Sequence, residues 1–116
     1  KTVELGKAVQ QVFYDDEYLG FVLKNVGEEE SELRLYDMNG EQKISKKFVG
    51  EYSNISVSEG NVIMFDGKKC MIFSAWGVRK FDGEVEMNIK EVLPLTGINK
   101  YLLVSNDGME EVRLVK

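Results

Sequence analysis

"KKFVGE", Lys46–Glu51, returns as "RKFDGE", Arg79–Glu84. Each copy is followed within a few residues by Asn-Ile, at Asn54-Ile55 and at Asn88-Ile89. A phrase recurring at fixed spacing marks a chain built from copies of one supersecondary unit. Working outward, each unit opens on the spacing apolar-x-x-apolar: Val9 and Val12, Tyr52 and Ile55, Ile89 and Val92. An apolar strand follows (Tyr18–Leu23, Val62–Phe65, Tyr101–Val104), then a turn, then a second strand (Leu33–Tyr36, Cys70–Phe73, Val112–Val115). The average period is about 40 residues with four strands per unit, the spacing of propeller blades.

The rest of the chain agrees with an all-β reading. Short runs rich in Val, Leu, Ile, Phe and Tyr are separated by Asn39-Gly40, Asp66-Gly67, Asp82-Gly83 and Asp107-Gly108, all turn signals. No stretch carries the long 3.6-residue periodicity of a helix. The fold expected is one domain, residues 1–116, of about three four-stranded antiparallel propeller-like blades. Repeat units fall at about 8–48, 52–84 and 88–116, the last stopping after its third strand, with Thr2–Leu5 as an orphan strand. Since closed rings typically take about four to eight blades, this is a segment of a larger propeller. The alternative is a β-sandwich in which the repeat is accidental. Ile55, Val62, Met64, Ile72, Leu103 and Leu114 recur at matched positions, alternating with polar neighbours in several strands, and are the expected core.

Composition excludes several functions. Lys and Arg number 15 against 20 Asp and Glu, a net charge of −5, which disfavours nucleic acid. No apolar run approaches the roughly 18 residues that cross a bilayer. The chain starts at Lys rather than Met, so a cut or processed boundary is expected, and any targeting information would lie upstream. Cys70 is the single cysteine and sits between Lys69 and Met71 in an apolar strand, which makes it a buried small hydrophobe. Histidine is absent, so His-activated nucleophiles cannot be built from this chain. No glycine-rich phosphate loop or nucleophile elbow occurs.

Metal sites fare no better. In "LRLYDMNGEQ", Leu33–Gln42, Asp37 and Asn39 surround Gly40 as a calcium loop would, but the glycine comes two residues too early. The stretch is read as a hairpin turn, Asn-Gly supplying positive φ and Asp37 hydrogen-bonding the backbone two residues on. The acidic runs Asp15–Glu17 and Glu28–Glu30 fall between strands, where solvated charge is ordinary, so neither metal nor cofactor is expected. "NIS" at Asn54 matches a glycosylation acceptor but lies in a strand. Trp76, in the turn "SAWGV", has two readings: packing between neighbouring blades, or an exposed anchor for a partner.

The whole stretch resembles the C-terminal part of an uncharacterised family of membrane-anchored, propeller-like proteins of Gram-positive anaerobic bacteria. The phrases that carry the likeness are "ELGKAVQQVFY" (4–14), "YLGFVLKN" (18–25), "LRLYDMNGE" (33–41), "YSNISVSEGNVIMFD" (52–66), "CMIFSAWGVRKF" (70–81) and "INKYLLVSNDGMEEVRLVK" (98–116). These are strand-and-turn patterns without a catalytic signature, so the likeness transfers no functional residue. It implies an extracytoplasmic location and an anchor upstream of Lys1, the segment itself being soluble. The function expected is a non-catalytic binding or scaffolding module for an unknown protein or glycan, with Trp76 as the candidate contact. The rival is a contribution to an enzyme whose catalytic groups lie in other blades. Unpaired strand edges also predict self-association.

Overall fold

The computed structural model describes Thr2 and residues 4–115, and among these residues it contains eleven strands and no helix. The first sheet is a meander of β1 (Val9–Tyr14), β2 (Tyr18–Leu23), β3 (Glu30–Asp37) and β4 (Gln42–Val49). The second repeats the pattern with β5 (Asn54–Ser58), β6 (Asn61–Asp66), β7 (Lys69–Ser74) and β8 (Arg79–Glu84). The third has β9 (Glu91–Pro94), β10 (Lys100–Ser105) and β11 (Gly108–Arg113), with β10 in the middle. Every pairing is antiparallel between strands adjacent in sequence, so the chain is all-β, three sheets of four, four and three strands consistent with propeller-like blades.

The sheets stack in chain order, and side-chain parity shows how. One core gathers Phe13, Val22, Leu33, Leu35 and Ile44 of sheet one against Val57, Val62, Met64, Met71 and Phe73 of sheet two. The other gathers Ile63, Phe65, Cys70 and Ile72 of sheet two with Ile89, Val92, Tyr101, Leu103 and Leu114. Alternate residues of β6 and β7 thus enter different cores, because side chains alternate across a strand. Sheet two is apolar on both faces and walled on both sides. The expected apolar–polar alternation fails in these two strands for that reason. Val62, Met64, Ile72, Leu103 and Leu114 are buried as expected, while Ile55 is only partly so.

Several local expectations are corrected. Asp82-Gly83 is not a turn; both residues lie inside β8, Gly83 opposite Cys70. The turn of sheet two that escaped notice is Glu59-Gly60, between the paired residues Ser58 and Asn61, with φ of 51° and 71°. The last strand spans Gly108–Arg113 rather than Val112–Val115, and its loop is Asn106-Asp107. Of the expected orphan strand Thr2–Leu5, Val3 lies outside the described residues, and Thr2, Glu4 and Leu5 form no strand. Leu5 instead lines a hollow with Leu19, Phe21 and Tyr36 on the outer face of sheet one.

The phrase that pointed to the repeat is out of structural register. Ile44 faces Leu35 as Phe81 faces Ile72, so Phe81 corresponds to Ile44 and not to Phe48. Backbone geometry carries the true repeat. In both sheets the third and fourth strands slip register at matching places, between Leu35 and Tyr36 and between Ile72 and Phe73. The turns that follow are built alike. Gly40 N–H donates to Asp37 O and Asp37 N–H to Glu41 O; Gly77 N–H donates to Ser74 O and Ser74 N–H to Val78 O. Gly40 and Gly77 hold φ of 83° and 85°, the left-handed residue that closes a turn of this length. "DMNGE" (37–41) and "SAWGV" (74–78) are therefore equivalents that share only their glycine.

Candidate functional site

The two ends of the sheets are chemically distinct. Strands alternate in direction, so the starts of β1, β3 and β5 share one end with the finishes of β2, β4 and β6. At that end a cleft of about 320 Å³ opens between sheets one and two. Its apolar floor is Val22, Phe48 and Ile55, and its polar lining includes Lys24, Ser31 and Asp66. Phe48 and Tyr52 are both buried, their rings tilted with centroids 5.9 Å apart, and Lys69 Nζ lies 5.1 Å from the Tyr52 ring. Burial pushes the Tyr52 phenol up, with the Asp82 carboxylate adding to it. Gly50, with φ of 112°, lets the chain leave β4 and turn into the cleft wall.

Two glutamines of β1 line the cleft and fasten it. Gln10 Nε2 donates to Lys24 O at 3.0 Å, and Gln11 Nε2 donates to Tyr52 O at 2.7 Å, tying sheet one to the linker that enters sheet two. Their amide oxygens remain acceptors. Ser31, 7% exposed, lies on β3 beside them in the cleft lining. Lys24 and Asp66 are half-buried and enter none of the ion pairs among the described residues.

Trp76 marks the opposite end, in the β7–β8 turn. It is 86% exposed and packs between none of the described sheets. The turn beneath it is fixed: Ser74 Oγ accepts from Trp76 N–H at 3.3 Å and from Val78 N–H at 3.2 Å. Asp37 Oδ1 does the same in sheet one, accepting from the N–H groups of Asn39 and Glu41, each at 2.9 Å. Those bonds, the Glu41 amide foremost, draw the Asp37 carboxyl below its ordinary range. Asp37 thus ties its own turn together and also pairs with Lys43 Nζ at 3.8 Å, and of Asn39 and Gly40 only Gly40 takes positive φ.

The acidic runs are similarly engaged. Asp15 Oδ1 accepts from Glu17 N–H and Tyr18 N–H, each at 2.8 Å, building the β1–β2 turn. Glu28 pairs with Lys7 at 3.3 Å. Among the described residues no three acidic or cysteine side chains converge as metal ligands. Cys70 is fully buried in the second core, and desolvation pushes its thiol up to about 12, so it is no nucleophile. Asn54 is exposed on β5, its amide donating to Ser53 Oγ.

Sequence reasoning singled out Trp76, which the structure leaves exposed, and missed the cleft. Gln10, Lys24, Ser31 and Asp66 come from four strands or strand ends of two sheets, and no local spacing links them.

These features define a stacked-meander β domain with a cleft between its first two sheets and an exposed aromatic turn. The chain belongs to the family described as "Family of unknown function (DUF5711)", whose profile matches residues 1–114. No curated protein matches it. Among solved structures, the chain is similar to one described as the crystal structure of the computationally designed Ika4 protein. That match has 6% identity and a TM-score of 0.49, covering 96% of this chain and 94% of that one. No helix among the described residues is long and apolar enough to cross a membrane.

Proposed function

We propose that the chain is a non-catalytic binding module, part of a propeller-like domain displayed outside the bacterial cytoplasm and held there by an anchor upstream. The observation that carries this reading is Trp76. A tryptophan left 86% exposed forfeits a large burial free energy in the free protein, which contact with a partner recovers. Its turn is already ordered by Ser74, so a partner meets a preformed anchor at little entropic cost. Val78, 61% exposed in the same turn, extends the apolar contact. The partner class is a protein or glycan of the cell envelope.

The test is retention of envelope proteins and cell-wall glycans on the immobilised chain, compared with Trp76→Ala. The variant is expected to keep its thermal melt and lose retention. Equal retention by both would remove Trp76 as the contact, and steady release of a cleaved product would favour the enzymatic alternative.

A further inference from the structure

The interblade cleft, at the end of the sheets away from Trp76, holds an unusual set of groups. Lys24 from sheet one and Asp66 from sheet two carry opposite charges, are half-buried, and enter no ion pair among the described residues. Charge at such a position ordinarily finds a counter-ion, because partial burial weakens its hydration. Ser31 is 7% exposed and lines the same cleft with its hydroxyl available to a ligand. Gln10 and Gln11 hold the walls with their amide nitrogens and keep their oxygens as acceptors.

The composition of the cleft narrows the ligand. Sugar sites offer an open aromatic face, but here Phe48 and Tyr52 are 6% and 7% exposed and present none. A phosphorylated ligand would meet one cation, Lys24, with the carboxylates of Asp66 and Glu51 also lining the cleft. A fully apolar ligand would strand Lys24 and Asp66. One cation, the Asp66 carboxylate on the facing sheet with Glu51 at the linker, and an apolar floor instead match a molecule bearing both charges and a greasy group. A volume of about 320 Å³ lies at the small end of ligand pockets.

We propose that this cleft binds a small zwitterion of the amino-acid or dipeptide class. The ligand carboxylate pairs with Lys24, its ammonium with Asp66, and its apolar side chain covers Val22, Phe48 and Ile55. Ser31 donates to a ligand carbonyl or carboxylate oxygen, and the glutamine oxygens accept the remaining N–H groups. The site is independent of Trp76 and stands or falls without it.

The experiment is amide-resolved NMR titration of the chain with leucyl-leucine, with N-acetyl-leucine amide, and with glucose. Leucyl-leucine is expected to move the amides of Gln10, Gln11, Ser53 and Ile55 saturably. N-acetyl-leucine amide, which lacks both charges, should bind about tenfold or more weakly, the difference a charged hydrogen bond makes. Lys24→Gln and Asp66→Asn should each weaken leucyl-leucine by a similar factor while leaving the rest of the spectrum in place. No saturable shift with leucyl-leucine, equal shifts with the uncharged analogue, or saturation by glucose instead would each overturn the proposal. The ligand comparison needs no variant, so a variant that failed to fold would not shelter the idea.

Discussion

At the scale of single residues, the outer face of sheet one carries a connected polar arrangement. Glu32, Arg34 and Tyr36 alternate along β3 and so point to the same side. Glu32 Oε2 accepts from Arg34 Nε and, at 2.9 Å, from Ser45 Oγ, while Lys7 Nζ lies 3.8 Å from Glu32 Oε1 and 3.3 Å from Glu28. The Arg34 hydrogen bond is the main reason the Glu32 carboxyl lies below its ordinary value of 4.5; burial opposes it and Ser45 helps. A depressed carboxyl favours the folded state wherever the unfolded one is also ionised, so this contribution is complete above about pH 4.5 and drains away below it. Glu32→Gln should therefore cost about 1–3 kcal/mol at pH 7, since it replaces a charged acceptor beside Arg34. In thermal melts from pH 7 down to pH 3, the gap between parent and variant should close as the pH falls. A gap that stayed constant across that range would refute the assignment.

At the scale of elements, the paired turns are the informative feature. Asp37 and Ser74 occupy equivalent positions, and each side-chain oxygen takes the N–H groups two and four residues on. Ser74→Ala removes both bonds and should lower stability by about 1 kcal/mol, the ordinary net worth of such a contact. Ser74→Asp imports the acceptor of the other sheet and should melt at or above the parent temperature. If Ser74→Asp fell as far as Ser74→Ala, the two turns would not be interchangeable. The same pair shows what could be read from the sequence. Gly40 and Gly77 are visible as glycines, but Asp and Ser look unrelated until their hydrogen bonds are seen, so "SAWGV" was not matched to "DMNGE". The echo "KKFVGE" and "RKFDGE" pointed to a repeat although its residues are four positions out of structural register, because both halves end in a fourth strand. The strands were legible from their β-branched and aromatic runs. The double burial of β6 and β7 was not, because a strand with a sheet on each face loses the alternation that would reveal its orientation. The cleft was invisible because it exists only where two sheets meet.

At the scale of the whole molecule, the two outer faces differ. On sheet one Leu5 and Lys7 lie against the outer side, Lys7 in its ion pairs and Leu5 beside Phe21 and Tyr36. On sheet three Leu93 pairs across strands with Leu102 and Val104 with Met109, on the face away from the core; Leu93 and Met109 are 44% and 72% exposed. Strand β11 is an edge whose outward backbone groups lack a ladder partner among the described residues. Exposed edges and apolar patches invite association. Sedimentation of the chain over a wide concentration range should therefore show an average mass that rises with concentration. A strict monomer at every concentration would show that the third sheet needs no cover.

Sheet two is held by hydrophobic contacts on both faces, while sheets one and three each lean on it from one side. The molecule is thus a short stack with an interior layer and two terminal layers, and its fluctuations should be graded accordingly. A terminal layer can open by giving up one packed face, whereas the interior layer opens only after breaking two. Amide hydrogens of β6 and β7 should exchange with deuterium most slowly, at rates set by global unfolding. Those of β2, β3 and β10 should escape earlier, through partial openings that leave the rest folded. Slower exchange in β2 and β3 than in β6 and β7 would put the stable centre elsewhere. With this ordering, the cleft between sheets one and two would open and close with the departure of a terminal layer, and a ligand bridging Lys24 and Asp66 would slow exchange throughout sheet one.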